Sequence, residues 1–185
     1  PRVSAKFFLT PDFALTGAVG RFAQWTHSLA REDIPVRLFD FWLTSDSGIP
    51  VSNAWHYIAG TERWFGTTRL ARVEGFYKQY GTLLESNPQE DPGMRGDEFY
   101  PVKGNSYGVD ILLRQFETPG HRFSGWISYT YAVAARVQDT LRYFPGHDRR
   151  HDLNVVGTWR IANYLFGARL GLATVNRLQG LRRHA

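Results

Sequence analysis

The stretch GHDRRHD, residues 146–152, holds the side chains best suited to chemistry in this sequence. Four of its residues are of the types that bind metal ions or exchange protons, namely His147, Asp148, His151 and Asp152. The two histidines are four residues apart, a spacing that brings side chains together only on a helix. A Pro-Gly pair precedes them and an alternating segment follows, which disfavours a helix. We therefore predict a polar loop that enters a strand, and neither a metal site nor a catalytic site.

Other catalytic patterns are also missing from the sequence. The chain has no cysteine, which removes disulfides and thiolate metal sites. No Gly-x-Ser-x-Gly elbow accompanies its serines and histidines, and its glycines do not form a dinucleotide-binding loop. We expect no enzymatic activity, no metal and no cofactor.

Composition favours an all-β chain. The 185 residues include six Trp, nine Tyr, 13 Phe, 18 Gly and nine Pro beside one Met, a mixture typical of strands and turns. No stretch of 18 or more apolar residues is present, and the start of the sequence does not resemble a signal peptide. Because the sequence begins with Pro1, we expect it to start inside a longer polypeptide or after processing, with any export signal lying upstream. Its net charge of +5 comes from 22 basic residues interleaved with 17 acidic ones, and only residues 177–184 form a basic cluster, so we expect no nucleic-acid partner.

Period-two alternation of apolar and polar residues predicts about eight strands, several of them long. The segments are 3–9, 13–25, 51–60, 67–84, 105–116, 122–137, 150–161 and 165–174. Their connections alternate between short, as at residues 10–12, 118–121 and 162–163, and long, as at 26–50, 85–104 and 138–149. Outer-membrane barrels have this rhythm, with short periplasmic turns and long extracellular loops. The pattern predicts an antiparallel meander that forms part of a transmembrane outer-membrane β-barrel.

The charges decide which face of each strand would meet lipid. In FSGWISYTYAV, residues 123–133, the odd positions are apolar, aromatic or Gly, and most even positions are small or hydroxylated. An Arg or Lys at the lipid midplane costs about 2–4 kcal/mol, so charged faces must turn inward. The charged side chains predicted to face the lumen are Lys6, Arg72, Glu74, Lys78, Asp110, Arg114, Arg160 and Arg169. Tyr129, Tyr131, Trp159, Trp55 and Tyr57 are candidates for interfacial aromatic girdles. A soluble sandwich would bury the same apolar face as its core, and alternation alone leaves both open.

Four segments resemble the β-barrel of TonB-dependent outer-membrane receptors. They are KFFLTPDFALTGAVGRFAQW (6–25), YGVDILLRQFE (107–117), GWISYTYAVA (125–134) and FPGHDRRHDLNVVGTWRI with FGARLGLAT (144–174). The resemblance covers nearly the whole chain to about residue 175. It implies energy-driven uptake of a scarce ligand, such as a metal chelate, vitamin or glycan, across a Gram-negative outer membrane. It also implies membrane lipid, a plug domain and an inner-membrane energy-coupling complex as partners.

The strand count departs from that family. Such receptors have 22 strands around a plugged lumen, so the resemblance implies that residues 1–175 are part of one barrel wall. Residues 176–185 are predicted to be an irregular basic tail. The lumen-facing charges could form cross-strand ion pairs and hold the plug, or could simply keep the lumen polar. Two other functions remain open: a complete eight-strand barrel with a structural or adhesive role, and a soluble β-rich binding module.

Ligand contacts, if present, should come from the long loops. The aromatic and basic candidates are Trp25, Trp42, Phe99, Tyr100, His147 and Arg149. Such side chains suit a flat or anionic ligand. The alternative is that they pack loop against loop.

Overall fold

The computed structural model describes residues 1–28, 42–87, 93–94, 97, 99–138, 141–145 and 148–175. The described strands are β1 (Arg2–Thr10), β2 (Phe13–Gln24), β3 (Thr26–Ser28), β4 (Trp42–Thr44), β5 (Ser52–Phe65), β6 (Arg69–Ser86), β7 (Phe99–Gln115), β8 (Phe123–Gln138), β9 (Leu141–Tyr143), β10 (Arg149–Ile161) and β11 (Tyr164–Val175). No helix in these ranges is long and apolar enough to cross a membrane.

Eight long strands form one antiparallel sheet in the order β1-β2-β5-β6-β7-β8-β10-β11. The short strand β9 extends the sheet beside β8, and β3 pairs with β4 in a separate two-stranded ribbon. The prediction of an all-β antiparallel meander is therefore confirmed. Within the described residues the sheet is not closed, because β1 and β11 lie at its two edges and do not pair with each other.

The eight predicted segments correspond to the eight long strands, with two differences in length. Strand β5 continues past residue 60 to Phe65. Its additional residues pair with β6, and two of them, Glu62 and Trp64, lie on the same face as His56. Strand β7 begins at Phe99 instead of residue 105, so part of the predicted loop 85–104 is strand. A register shift between Tyr80 and Leu83 on β6 accommodates this extension. The predicted tail at 176–185 lies outside the described residues.

Short and long connections alternate along the sheet. At one end, four turns join β1 to β2, β5 to β6, β7 to β8 and β10 to β11 through short links. At the other end, the chain passes through residues 25–51, 87–98 and 139–148. The loop-length rhythm of the sequence thus places all long connections at one end of the sheet.

Successive hairpins are displaced along the strand direction by a regular step. Following the register from Phe13, the first residue of β2, across the sheet leads to Val155 in β10. Strand β10 continues beyond Val155 to Ile161, which is six residues further. The β1–β2 turn and the β10–β11 turn are separated by six strand spacings across the sheet. A displacement of six residues over six spacings corresponds to one residue per strand. If the turns lie in one plane, a rise of about 3.3 Å for each strand spacing of about 4.8 Å corresponds to a tilt of about 35°.

Candidate functional site

One face of the sheet is apolar across all eight long strands. The register aligns Phe7, Leu15, Thr61, Val73 and Ile111 from strand to strand, and the same row continues through β8, β10 and β11. The exposed large side chains of this face are Val3, Phe7, Leu15, Trp55, Tyr57, Phe65, Val73, Tyr77, Tyr107, Val109, Leu113, Phe123, Ile127, Tyr131, Trp159, Ile161, Tyr164, Phe166, Leu170 and Leu172. We call this surface the apolar face.

Aromatic side chains border the apolar face at both ends. Towards the long connections the residues are Trp55, Tyr57, Tyr77, Tyr107, Tyr129 and Tyr131; towards the short turns they are Phe13, Phe65, Phe123, Trp159, Tyr164 and Phe166. The rings of Tyr57 and Tyr77 lie side by side with their centroids 6.3 Å apart. Aromatic belts of this kind mark the two interfaces of membrane proteins.

The distance between the two aromatic borders is the same on separate strands. Tyr57 and Phe65 are eight residues apart on β5, and Phe123 and Tyr131 are eight residues apart on β8. Eight residues extend about 26 Å along a strand, or about 22 Å along the normal at a tilt of about 35°. The apolar band of outer-membrane barrels is about 25 Å tall. The height of the apolar face is therefore close to that of the apolar band of such barrels.

The opposite surface, which we call the polar face, carries most of the charges of the long strands, whereas Arg21, Arg63 and Arg69 lie on the apolar face near its two ends. The register places all eight predicted lumen charges on the polar face: Lys6, Arg72, Glu74, Lys78, Asp110, Arg114, Arg160 and Arg169. Glu74 and Asp110 are direct cross-strand neighbours, and the Thr130 hydroxyl donates to Asp110 Oδ1 at 2.6 Å. Arg160 Nη2 donates to Glu117 Oε1 at 2.5 Å. Their proposed role in holding a plug stays a prediction.

Glu62 is the centre of a charged cluster on the polar face that the sequence reading did not identify. Its carboxylate accepts hydrogen bonds from Lys6 Nζ at 2.7 Å, Arg72 Nη2 at 3.0 Å and Trp64 Nε1 at 3.2 Å. Glu62 is 7% exposed. Lys6 faces Thr16 on β2, whereas Glu62 faces Ala14 two residues away, so the ion pair crosses β2 diagonally. The cluster therefore ties the edge strand β1 to β5 and β6.

We expect Glu62→Gln to loosen the edge strand β1. The substitution removes the charge that holds Lys6 and Arg72, whose side chains are each 38% exposed. Because water screens these partners, we expect a loss of about 1–2 kcal/mol in the free energy of local opening. Hydrogen–deuterium exchange of residues 2–10 in detergent should then be about 5–30 times faster.

Glu117→Gln is the matched control for this experiment. It also removes one carboxylate from an ion pair, but Glu117 and its partner Arg160 are 55% and 56% exposed. Exposed pairs contribute little, so exchange near Glu117 should stay within about threefold of the original chain. Equal effects of the two substitutions would mean that Glu62 does not fasten β1.

The comparisons with protein families, curated proteins and solved structures found no match. The resemblance to TonB-dependent receptors therefore remains a prediction from the sequence. Function has to be argued from the two faces, the aromatic borders and the long connections.

The structure separates the residues of the GHDRRHD stretch. His151 lies on the apolar face, where Tyr129 Oη and His151 Nδ1 are 2.7 Å apart. Asp152 lies on the polar face and accepts a hydrogen bond from the Asn154 side-chain amide. Asp148 is buried; its Oδ1 accepts from the Ala134 amide at 3.0 Å and its Oδ2 from Arg150 Nε at 2.6 Å. Among the described residues no group of three or more His, Asp or Glu could hold a metal ion. His147 lies outside those residues.

A second charged cluster fixes the strand ends at the long connections. Glu85 pairs with Arg136, and its Oε2 accepts from Tyr143 Oη at 2.6 Å and Tyr100 Oη at 3.2 Å. Burial raises the pKa of the Tyr143 phenol, which keeps it protonated as a donor. This cluster joins β6, β7, β8 and β9. The sequence reading missed Glu85 because nothing in the local pattern shows which strands meet there.

The six candidate ligand residues do not form one site. Trp25 and Trp42 are exposed near the ribbon β3–β4. Trp25 is the register neighbour of Ser45, and Trp42 is that of Ser28. The two tryptophans therefore lie on different faces of that ribbon. Phe99 is buried, and Tyr100 donates a hydrogen bond to Glu85. Arg149 is exposed at the start of β10, and His147 lies outside the described residues. Trp25, Trp42 and Arg149 are the candidates that offer free surface to a ligand.

His27 attaches the ribbon β3–β4 to the main sheet. Its ring meets the edge of Phe99 with the centroids 6.0 Å apart, and its Nε2 lies 3.1 Å from Ser45 Oγ. Ile49, held by an Asp46 turn, is also buried in this region. The contact ties a long connection to the first residue of β7.

Acidification is expected to release the ribbon. Burial lowers the pKa of His27 below its usual value of about 6.5. The stability contributed by neutral His27 is complete above about pH 6.5 and is lost as the pH falls through the lower folded-state pKa. Amide exchange of residues 42–45, corrected for intrinsic rates, should therefore accelerate between pH 7 and pH 5. His27→Gln should remove this dependence; an unchanged pH profile in the variant would assign it to another group.

Proposed function

We propose that this chain is part of the wall of an outer-membrane β-barrel, and that the barrel is a TonB-dependent receptor that takes up a scarce ligand. The observation that carries the proposal is the uncovered apolar face, eight strands wide and bounded by aromatic residues at both ends. Ion pairs lie on the opposite surface.

A soluble domain would need to cover the apolar face. Exposed apolar patches on soluble monomers rarely exceed a few hundred Å², whereas here large apolar side chains are exposed on every long strand. A bilayer stabilises the same surface without a second layer of protein. The tilt of about 35° derived from the register also lies within the range of about 35–45° for membrane-spanning strands.

The open edges support a barrel with more strands than are described. The β1 and β11 edges would each leave a row of unpaired backbone groups in lipid, and membranes tolerate only closed barrels. Receptors of the proposed class close with 22 strands. The sequence resemblance in residues 6–25, 107–117, 125–134 and 144–174 supplies the receptor class, with uptake of a metal chelate, vitamin or glycan.

The remaining roles follow from the direction of each surface. The polar face would line the lumen and position the plug domain, through Lys6, Arg72 and the other inward charges. The long connections would meet the ligand outside the cell, with Trp25, Trp42 and Arg149 as exposed contacts. The proposed location is the Gram-negative outer membrane, and an inner-membrane complex would supply the energy.

The coding DNA on both sides of the segment tests the receptor proposal. We expect an upstream reading frame with a signal peptide and a plug-sized domain, and further alternating strands that bring the total near 22. A signal peptide directly before Pro1 and a stop codon directly after Ala185 would overturn uptake. It would favour a small complete barrel with a structural or adhesive role.

A further inference from the structure

A groove crosses the apolar face near the short-turn end. Its floor is formed by Gly125, Gly157 and Ala168 on the neighbouring strands β8, β10 and β11. Aromatic rings of Phe65 and Phe123 border it on one side, and Leu113, Ile127 and Leu170 on the other. Its volume is about 580 Å³, a size that accommodates small ligands.

The glycines keep the floor at the level of the sheet backbone. A Cβ on Gly125 would lie 2.3 Å from the Val156 carbonyl oxygen, so no side chain fits there without a shift of the sheet. A Cβ on Gly157 would lie 3.3 Å from the Phe123 ring and would start to fill the groove. Strands β8 and β10 are paired on both sides, so their backbone offers no hydrogen bonds to a peptide lying on Gly125 and Gly157; β11 is an edge strand whose free groups lie beside the sheet and not on this face. The floor therefore suits a hydrocarbon chain.

The groove runs from the interface into the apolar band. The register row that contains it passes from Arg69 through Gln115, Gly125 and Gly157 to Ala168. Those four strand spacings extend about 19 Å. Arg69 is the first residue of β6, whereas Ala168 lies four residues inside β11, counted from Tyr164. With tilted strands, the Arg69 end is at the aromatic border and the Ala168 end is deeper.

The guanidinium group of Arg69 lies at the end of the groove that is nearest the aromatic border. Arg69 Nε donates to Gln115 Oε1 at 2.9 Å, which leaves the terminal nitrogens of an exposed guanidinium for another partner. No carboxylate among the described residues forms an ion pair with Arg69. Arg63, on the same face beside Ala71, adds a second positive charge that is partly offset by the field of Asp12. Guanidinium groups bind phosphates through paired hydrogen bonds.

We infer that the groove binds a phospholipid whose headgroup carries a net negative charge, with the headgroup phosphate at Arg69 and one acyl chain along the glycine floor. The inference rests on the proposed membrane location and adds a specific lipid site at the short-turn side. The complementarity is both electrostatic, at Arg69, and steric, along Gly125, Gly157 and Ala168.

Native mass spectrometry of the chain in detergent tests this site. The chain is mixed with phosphatidylglycerol or with phosphatidylcholine of the same acyl chains, and retained lipid is counted. We expect preferential retention of one phosphatidylglycerol, and about tenfold weaker retention by Arg69→Gln, the effect of losing one charge-assisted hydrogen bond. Ala168→Trp, which fills the groove, should abolish retention. Arg21→Gln removes a guanidinium from the opposite end of the same face and should change nothing.

Four other results would overturn the lipid site. Equal retention of both lipids would overturn it, as would retention that is insensitive to Arg69→Gln and Ala168→Trp, because either describes general lipid coating. A chain that needs detergent but retains no lipid would overturn the site and leave the barrel proposal intact. A chain that stays dispersed without detergent and retains no lipid would overturn both.

Discussion

Ile127→Arg is expected to abolish insertion of the chain into lipid vesicles, whereas Ser128→Arg, one residue further on, is expected to leave insertion unchanged. Ile127 lies midway between Phe123 and Tyr131, which belong to the two aromatic borders of β8. An Arg at the lipid midplane costs about 2–4 kcal/mol, which corresponds to about 30-fold to 1,000-fold in an equilibrium. Ser128 lies on the polar face between Leu112 and Asn154, where a guanidinium can remain hydrated.

Flotation with vesicles after refolding from urea measures this difference. The original chain and Ser128→Arg, joined edge to edge with other copies, should float with the lipid and resist alkaline extraction, and Ile127→Arg should remain in the dense fraction. The control is severe, because it introduces the same guanidinium with the larger increase in side-chain size at an adjacent position. Failure of the original chain to float would disprove the membrane proposal. Flotation of all three proteins would show that the apolar face does not meet lipid.

This pair also separates the membrane proposal from the soluble binding module. In a soluble protein the apolar face would be covered by a second layer, and the original chain would remain dispersed without vesicles or detergent. Ile127→Arg would then unfold a core instead of blocking insertion. The behaviour of the unmodified chain distinguishes the two cases before any variant is compared.

The sequence predicted the local features of this fold well. Alternation within FSGWISYTYAV fixes which side chains share a face, because the period of two is a property of each strand alone. Turn residues at 10–12 and 162–163 likewise predicted hairpins that the structure contains. The eight charges predicted to share one face do so, because strand alternation and antiparallel pairing keep the faces consistent across the sheet.

Features that depend on register could not be read from the sequence. Lys6 and Glu62 are 56 residues apart, and they meet only because the register of β1, β2 and β5 brings them together diagonally across β2. Glu85 gathers side chains from β7, β8 and β9, which no local pattern brings together. Residues 146–152 were predicted to be a polar loop that enters a strand, but the sequence did not show that Asp148 is buried there, bonded to the Ala134 amide and Arg150. Strict alternation also ended the predicted strand at residue 60, whereas β5 continues through residues 61–65. Glu62 is stabilised there by partners on other strands.

The two edge strands are expected not to pair with each other when the chain is refolded alone in detergent. In an isolated chain, β1 and β11 each present unpaired backbone groups, and each such group costs several kcal/mol in lipid. We therefore expect oligomers joined edge to edge and no heat-modifiable, protease-resistant monomer. Size-exclusion chromatography with light scattering gives the first readout.

Engineered disulfides give a sharper readout, because the chain has no native cysteine. Leu15 and Thr61 are register partners on β2 and β5, so Leu15→Cys with Thr61→Cys should form a disulfide within one chain, at a Cα separation of about 4.5–5.5 Å. Ala5→Cys on β1, combined in turn with cysteine at Ala168, Leu170 or Leu172 on β11, should form disulfides only between chains. The first pair verifies that the sheet has refolded.

A disulfide within one chain between β1 and β11 would contradict the fragment proposal. It would mean that eight strands close on themselves in lipid, and an eight-strand barrel has an interior just wide enough for side chains to fill. The polar face, with Glu62, Lys6 and Arg72 at its centre, would then be a packed interior without room for a plug or a passing ligand. Disulfides that form only between chains would instead agree with β1 and β11 edges that pair with further strands, as a 22-stranded receptor requires. The same experiment thus decides whether the polar face can line a transport pathway.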